Sequence, residues 1–187
     1  MAMTVQGLIL AGGQGTRMGG VDKGLQVWRG QALVSYPLYA LEDICDSTLI
    51  SCNRNLETYQ TLAHAVVEDQ APDFQGPLSG LVSSLKEVSS EWLLVSPCDT
   101  PLVTKQDFQS LLEKAKSSPE HKLFALMAVE KAHPLHALIH RSVFPGIVSA
   151  FNEGQRSVFR VFKQLGVEWV DVDERHMKNF NALAQLD

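Results

Sequence analysis

A short apolar run followed directly by a glycine-rich loop constrains this chain more than any other feature. The run at residues 7–10 is too short for a helix and is bounded by glycines, which predicts a buried strand. The loop then carries Arg17 and Lys23 among six glycines, at positions 12, 13, 15, 19, 20 and 24. Glycines let backbone amides approach a ligand closely, and amides that converge with cations bind phosphate. We therefore predict a phosphate site here; a mobile surface loop is the alternative.

The loop departs from the two standard phosphate-binding templates. A P-loop requires Gly-Lys-Ser/Thr after four intervening residues, but Gly15 and Gly20 are followed by Val21. The dinucleotide-binding fingerprint fits Gly13 and Gly15 and then meets Met18 where a glycine is required. The remaining pattern, L-A-G-G-x-G-x-R-M-G-x-x-K, is a different kind of phosphate loop.

Apolar runs recur along the chain and alternate with segments of helical periodicity. Strands are predicted near 8–10, 47–52, 65–67, 92–96, 123–129, 135–140 and 167–172. Helices are predicted near 33–41, 78–85, 108–115, 143–151 and 158–165. This alternation predicts an α/β fold, a three-layer α/β/α sandwich with a mostly parallel sheet of Rossmann-like type.

The same alternation predicts where the loops meet. In a parallel sheet, ligands bind at the carboxyl ends of the strands. The segments that follow four of the predicted strands would therefore share one edge, at 11–24, 51–54, 68–70 and 97–101. We expect residues 1–187 to form a single domain, because no linker, repeat or low-complexity tract interrupts them.

An aspartate lies between two prolines directly after the apolar run at 92–96. Pro97 and Pro101 end the strand, so Asp99 is expected to project from a stiff turn at the edge of the sheet. A carboxylate in this place suits Mg²⁺, which takes oxygen ligands and often bridges substrate phosphates. The alternative is structural: Asp99 would cap the helix that begins near Thr104, or close an Asx turn.

The glycine-rich loop resembles the signature of nucleotidyltransferases, which couple a nucleoside triphosphate to a phosphorylated acceptor. Its core is shared with sugar-nucleotide pyrophosphorylases, whereas the portion at 19–25, GGVDKGL, resembles the molybdenum cofactor guanylyltransferase (MobA) family. The Pro-x-Asp-x-Pro segment around Asp99 agrees, since in that family it carries the metal-binding aspartate. Matching segments follow in order from Gly7 to Asn181 and are weaker after residue 130.

The resemblance extends to residues that follow other predicted strands. Asp69, in a Glu-Asp pair ahead of Gly-Pro-Leu-x-Gly, corresponds to an aspartate that contacts the nucleotide. Ser51 stands where the family typically has a nucleotide-binding asparagine, and a hydroxyl lacks the paired contacts of an amide, so Asn53 is the alternative. Asn181 corresponds to an asparagine that can join Asp99 at the metal, although asparagine before a helix is also a common N-cap.

Two further matches belong to the acceptor side of the family's site. His133 and Pro134 match an H-P-x-x-A-L segment, with a satisfied or solvent-facing imidazole as the alternative. Arg156 matches the arginine of a G-x-R-x-V element and is expected to meet the acceptor's phosphate or pterin.

The activity implied by the resemblance is transfer of GMP from GTP to molybdopterin that carries molybdenum, with release of pyrophosphate. Arg17, Lys23 and Asp99 would be the catalytic residues, because they would neutralise phosphate charge and hold the metal. The metal would be Mg²⁺, with Mn²⁺ as an alternative. The triphosphate would lie against the first loop, at Leu10, Ala11, Gly12, Gly13 and Gly15.

Other interpretations stay open at the level of sequence. Cytidylyltransferases that act on the same pterin tend to have alanine where Gly12 or Gly13 stands, and a second glycine leaves room for a purine. Sugar-1-phosphate nucleotidyltransferases are usually longer than 187 residues. A carrier that binds nucleotide or pterin without turnover would not need Arg17, Lys23 and Asp99 together.

Composition restricts the partners and the compartment. The net charge of −5, without a basic block, disfavours a nucleic-acid binder. No apolar run approaches the roughly 18–20 residues that span a membrane, and no secretory signal is visible. Three cysteines without a CxxC pair argue against disulfides and zinc. We expect a cytoplasmic monomer that acts on GTP and molybdenum-molybdopterin, with molybdoenzyme-maturation proteins as candidate partners.

Overall fold

The computed structural model describes residues 3–13, 21–69 and 75–180. The strands are β1 Val5–Leu10, β2 Val27–Trp28, β3 Gln31–Ala32, β4 Ser47–Cys52, β5 Ala65–Glu68, β6 Trp92–Pro97, β7 Leu123–Ala128, β8 Lys131–His140 and β9 Glu168–Asp171. Within the described residues, seven of them form one sheet in the order β5-β4-β1-β6-β8-β7-β9. The remaining two, β2 and β3, form a small antiparallel hairpin.

The large sheet is parallel except at one strand. β1 pairs in parallel with β4 and β6, β4 with β5, and β7 with β9, whereas β8 runs antiparallel to both of its neighbours. The predicted mostly parallel sheet is confirmed. The carboxyl ends of β1, β4, β5 and β6 consequently lie along one edge, where the sequence predicted the candidate loops.

Helices cover both faces of the sheet. They are α1 Ser35–Glu42, α2 Leu56–Gln60, α3 Pro77–Leu85, α4 Lys105–Ser117, α5 Phe144–Asn152 and α6 Val158–Gln164. Buried side chains of α1, α2 and α4 pack into one apolar cluster, and those of α3, α5 and α6 pack into another. The predicted three-layer arrangement is therefore confirmed.

Alternation along the central strands produces these two clusters. Ile9 and Leu94 point into the first, while Leu8 and Leu93 point into the second, and all four are 0% exposed. Each such side chain contributes roughly 1.5–3 kcal/mol through burial. Because both faces are covered, β1 and β6 form a rigid platform for the loops that follow them.

Some elements differ from those predicted. The β2–β3 hairpin and α2 were not expected, since two-residue strands and a five-residue helix have no readable periodicity. β8 begins at Lys131 and not near residue 135, because it continues through Pro134 by way of a bulge. No helix in the part of the chain that the structure describes is long and apolar enough to span a bilayer.

Candidate active site

A cleft of about 1280 Å³ opens at the carboxyl edge of the sheet. Its first wall comes from the loop after β1 and the turn after β6, at residues 10–13, 22–23 and 97–100. Its second wall comes from residues between 128 and 136, at the β7–β8 hairpin, and between 174 and 179. The predicted convergence of the first loop with the Asp99 turn is confirmed.

Lys23 and Asp99 make direct contact in this cleft. The Lys23 ammonium donates to Asp99 Oδ2, and it also donates to Asn179 Oδ1 at 3.2 Å. The side chains are 25% and 14% exposed, so the pair is shielded from solvent on most sides and open on the side of the cleft. Partial burial strengthens the attraction between the two charges relative to a surface pair.

Asp99 is held by its backbone and is not used as a helix cap. Cys98 N donates to Leu10 O at 3.2 Å, and Phe180 N donates to Asp99 O at 2.8 Å. The helix α4 is instead capped by Thr104, whose hydroxyl accepts from Asp107 N while the Asp107 carboxylate accepts from Thr104 N. The Asp99 carboxylate therefore faces the cleft, and the alternative in which Asp99 caps α4 is excluded.

Asp22 anchors the first loop where it rejoins the fold. Its Oδ1 accepts from Gly24 N at 3.1 Å and from the Tyr59 hydroxyl at 2.6 Å, and its Oδ2 accepts from Asn55 Nδ2 at 2.8 Å. Burial, followed by the hydrogen bond to Asp22, raises the pKa of Tyr59, which keeps that hydroxyl a donor. Sequence reasoning missed this role; the only signal was an aspartate two residues before a glycine.

Gly12 and Gly13 line the cleft, and the packing of the described residues does not require a glycine at either position. A Cβ added at either position would meet no atom of the described residues within 4 Å. Arg54 Nη2 donates to Gly13 O at 2.6 Å and so fixes the path of the loop from the end of β4. The space beside these glycines is open toward the cleft, as expected where a ligand approaches the backbone.

The amide of Ala11 is already committed. Ala11 N donates to Ser51 O at 2.8 Å, which removes this amide from the loop amides that were predicted to bind phosphate. Leu10 and Ala11 line the cleft as predicted. Ser51 is 1% exposed and its hydroxyl donates to Gly80 O at 3.4 Å, which places that hydroxyl against α3 and not in the lining of the cleft.

Asp69 lies at the end of β5, on the same edge of the sheet but beyond the lining of the cleft. Its Oδ1 accepts from the Ser79 hydroxyl at 2.8 Å and from the Ser83 hydroxyl at 3.1 Å, both on α3. Asn53 is exposed after β4. The nucleotide-binding roles of Ser51, Asn53 and Asp69 stay predictions.

Cationic and imidazole groups mark the second wall. Lys131, Arg175 and Lys178 line it together with His133 and His136. Burial and then the charge of Lys131 lower the pKa of His133, and burial and then His133 lower the pKa of His136 to about 3. Both rings are therefore neutral near pH 7, when each can donate one hydrogen bond and accept another.

Several predicted residues belong elsewhere or are not described. Arg156 donates to Phe151 O and Gln155 O, both at 2.8 Å, and closes the turn between α5 and α6 outside the lining of the cleft. The contact expected between Arg156 and the acceptor stays a prediction. Gly15, Arg17 and Asn181 lie outside the described residues, and the roles predicted for them are unchanged.

The residues around Asp99 fit a divalent cation that is held mainly by substrate. Asp99 Oδ1 is buried and has no hydrogen-bond partner among the described residues, and a carboxylate oxygen is a preferred ligand of Mg²⁺. No group of three or more His, Cys, Asp or Glu side chains that could hold an ion occurs in 3–13, 21–69 and 75–180. One carboxylate completed by phosphate oxygens is a common arrangement for Mg²⁺.

Fold and cleft together define a class of protein. Glycines and a lysine that follow the first strand line one cleft with a carboxylate that follows the neighbouring strand, and beyond them the cleft has room for a second substrate. This is a nucleotidyltransferase. The model of the MobA-like NTP transferase domain matches residues 7–170, and the chain belongs to that family.

Comparison with individual proteins agrees with this assignment. The molybdenum cofactor guanylyltransferase of Pseudomonas putida (strain GB-1) is 36% identical over 177 residues, covering 94% of this chain and 92% of the relative. Molybdopterin-guanine dinucleotide biosynthesis protein A from Archaeoglobus fulgidus superposes with a TM-score of 0.73 at 19% identity, covering 97% of this chain and 94% of that chain. The 2-C-methyl-D-erythritol 4-phosphate cytidylyltransferase of Thermus thermophilus gives 0.72 at 14%, covering 96% and 94%. These two structures show the shared fold.

Proposed function

We propose that this chain transfers GMP from GTP to the terminal phosphate of molybdenum-molybdopterin and releases pyrophosphate. The relative from Pseudomonas putida bears the name of a molybdenum cofactor guanylyltransferase, and membership of the same family supports the same reaction here. The observation that carries the proposal is the Lys23–Asp99 contact, which joins a cation of the first loop to a carboxylate of the β6 turn inside the cleft.

The chemistry requires little of a general base. An acceptor phosphate is already ionised near neutral pH, and its oxygen attacks the α-phosphorus of GTP in line. The bond between that phosphorus and the bridging oxygen breaks, and pyrophosphate leaves with the electron pair. Catalysis then comes from positioning and from neutralising charge. Lys23 would neutralise charge around the α-phosphate, and Arg17 would do so at the departing pyrophosphate.

Mg²⁺ is proposed as the metal, with Asp99 as its protein ligand and Asn181 as a second candidate. When bound, the ion would neutralise the phosphates and orient them for in-line attack. Asp99 offers the buried oxygen that has no hydrogen-bond partner among the described residues. Lys23 holds the other oxygen of the same carboxylate and so fixes its orientation.

The acceptor is proposed to bind along the second wall. Lys131 and Lys178 supply positive charge there for an anionic molecule, while the charge of Arg175 is shared with Asp173 and Glu174 adds one negative charge to the same wall. His133 is neutral near pH 7 and can donate or accept a hydrogen bond to a heterocycle. The apolar side chain of Leu135 lines the same wall. A flat, polar ring system that carries a phosphate fits this combination.

The choice of guanine over cytosine is supported by the open space at Gly12 and Gly13. The likeness to a cytidylyltransferase structure concerns the fold alone and selects no base. A panel of GTP, CTP, ATP and UTP with loaded pterin, scored by pyrophosphate release, tests the proposal. GTP should give the highest kcat/KM; preference for CTP would make this chain a cytidylyltransferase. Folded protein that binds GTP and releases no pyrophosphate would be a carrier.

We further propose that the chain acts as a single domain and a monomer in the cytoplasm, where thiols stay reduced. Cys45, Cys52 and Cys98 are free thiols in the structure. Burial raises the pKa of Cys45 to about 12 and that of Cys52 to about 11, so neither is a reactive thiolate near neutral pH. Contact with molybdoenzyme-maturation proteins is part of the same proposal and would be tested by co-purification with a tagged chain.

A further inference from the structure

The strand β8 leaves both of its neighbours beside the cleft. On the β7 side, its register moves from Ala137 opposite Ala125 to His133 opposite Leu126, so residues 134–136 form a bulge without partners on β7. On the β6 side, pairing ends at Val95 opposite Ala137. Bulges next to functional sites commonly redirect side chains. Here the bulge begins at Pro134, which has no N–H to donate to a ladder.

His136 is the bulge residue that reaches the turn carrying Asp99. Its Nε2 is hydrogen-bonded to the Thr100 hydroxyl at 2.8 Å, and His136 and Thr100 are each 2% exposed. The ring stacks on Phe108 of α4, with centroids 6.4 Å apart and planes at 25°. The imidazole is therefore fixed from one side by an aromatic ring and from another by the hydroxyl that follows Asp99.

The protonation state of His136 favours one fixed hydrogen bond to Thr100. Burial keeps the ring neutral by lowering its pKa, and its Nδ1 is buried with no hydrogen-bond partner among the described residues. A buried N–H without a partner costs more than an unused lone pair, so the proton is best placed on Nε2, which then donates to Thr100 Oγ1. This tautomer makes the bond directional, and the side chain has no other polar contact in the described part of the chain to compete with it.

Thr100 transmits this constraint to Asp99. The backbone on the other side of Asp99 is held by Cys98 N donating to Leu10 O, and Asp99 O accepts from Phe180 N. The hydrogen bond that His136 Nε2 donates to the Thr100 hydroxyl supplies a third attachment, on the side of β8. Without it, the hydrogen bond that the described residues leave to the segment between Asp99 and the cap of α4 is Val103 N to Thr100 O, together with the burial of the Val103 side chain in the first apolar cluster.

We propose that His136 is a positioning residue for the transfer reaction: through Thr100 it sets the orientation of the Asp99 carboxylate relative to Lys23 in the cleft. This inference rests on the proposed function, because it assigns Asp99 to the step that the function requires. His136 lines the cleft, but its nitrogen that reaches Thr100 is used within the protein, so its effect passes through Asp99.

The test compares variants that lose the hydrogen bond between Thr100 and His136 with variants of similar size that keep it. Thr100→Val removes the hydroxyl and Thr100→Ser keeps it; His136→Leu removes the nitrogen and His136→Gln keeps a polar group at about the place of Nε2. We expect Thr100→Val and His136→Leu each to lower kcat about tenfold, with the KM for GTP changed by less than about twofold. Thr100→Ser and His136→Gln should stay within about threefold of the unmodified chain. The double variant should lose no more than the worse single one.

A second readout does not depend on turnover. Mn²⁺ binding to the GTP complex, followed by electron paramagnetic resonance, should weaken about tenfold in Thr100→Val and stay unchanged in Thr100→Ser. The positioning role would be overturned if Thr100→Val and Thr100→Ser lost kcat and Mn²⁺ affinity to the same extent. It would also be overturned if neither variant lost them. If the unmodified chain binds Mn²⁺–GTP but releases no pyrophosphate, the proposed function fails, and the Mn²⁺ comparison then shows only whether Thr100 and His136 set the orientation of the Asp99 carboxylate. Circular dichroism confirms that each variant is folded.

Discussion

Lys23 and Asp99 are 76 positions apart in the sequence, yet the ammonium of one donates directly to the carboxylate of the other at the mouth of the cleft. The two residues follow adjacent parallel strands, β1 and β6, so the sheet itself brings them together. Each charge is partly buried, and each neutralises the other when no substrate is present. The two side chains therefore hold each other in place without a ligand, and both can contact phosphate and metal when these bind in the cleft.

Replacing Asp99 by asparagine should remove turnover and keep the fold. The amide has nearly the same shape but loses the charge that a divalent cation requires, so kcat should fall about a hundredfold or more. Pyrophosphate release with GTP and loaded pterin measures the loss, and the melting temperature checks the fold. Asp43→Asn is the matched control, since Asp43 also pairs with a lysine, Lys105 at 3.0 Å, but on the exposed surface. Equal activity of Asp99→Asn and Asp43→Asn would remove Asp99 from the reaction.

Replacing Lys23 by methionine should lower the rate far more than the stability. Methionine keeps much of the length of the side chain and removes its charge, which we expect to cost about a hundredfold in kcat. The free energy of unfolding should change by about 1 kcal/mol or less, because the side chain is part of no apolar cluster among the described residues and its ion pair is partly solvated. Urea unfolding and pyrophosphate release, measured on the same preparation, separate the two effects. A large loss of stability would mean that Lys23 is structural.

Gly12→Ala should impair GTP use without affecting the fold. The new methyl group would meet no atom of the described residues within 4 Å, whereas a ligand lying against the loop would collide with it. The KM for GTP should rise about tenfold while the melting temperature stays the same. An unchanged KM would show that the triphosphate does not approach this backbone.

Gly24→Ala should behave in the opposite way and destabilise the protein. Its Cβ would collide with the Tyr59 hydroxyl and lie 3.3 Å from Tyr59 Cζ, in a fully buried ring that cannot move aside. We expect a loss of about 1–3 kcal/mol in the free energy of unfolding. The variant Tyr59→Phe removes the hydroxyl that collides, so Gly24→Ala combined with Tyr59→Phe should lose less than the sum of the single changes. Additive losses would place the clash elsewhere.

His136 should make stability depend on pH in the acid range. In the folded state burial lowers its pKa to about 3 from an ordinary 6.5, so between these values the unfolded chain binds a proton that the folded chain does not. Stability from this residue is therefore full above about pH 6.5 and falls as the pH drops toward 3, by about 1.4 kcal/mol per unit. Urea unfolding at about pH 5.5 and about pH 4.5 should show a shallower dependence in His136→Gln. Identical slopes would mean that His136 is protonated in the fold.

Sequence patterns predicted the strands of the large sheet better than they predicted the contacts of the loops that follow them. Apolar runs located every strand of the large sheet, because buried strands must be apolar, and the parallel order then brought Lys23 to Asp99. The anchoring of Asp22 was not predictable in this way. Its partners Asn55 and Tyr59 belong to the N-cap and body of α2, a helix too short to show periodicity. Hydrogen bonds between distant polar residues leave no repeating pattern in a sequence.

The position of His136 escaped prediction for a related reason. Proline within an apolar run argues against a central strand, so the sequence predicts a strand that starts after Pro134. The bulge that admits Pro134 also changes which way the next side chains face, and their direction depends on the register with β7. Asn179, which accepts from Lys23, lies two residues before Asn181, and the resemblance assigns a role only to Asn181.

The hydrogen bond from Phe180 to Asp99 has a consequence for biosynthesis. Phe180 also packs edge-on against Trp28, with ring centroids 5.0 Å apart, so the same residue joins the first hairpin to the β6 turn. During synthesis, neither contact can form before residue 180 has left the ribosome. The turn that carries Asp99 would therefore gain its last backbone attachment only at the end of translation.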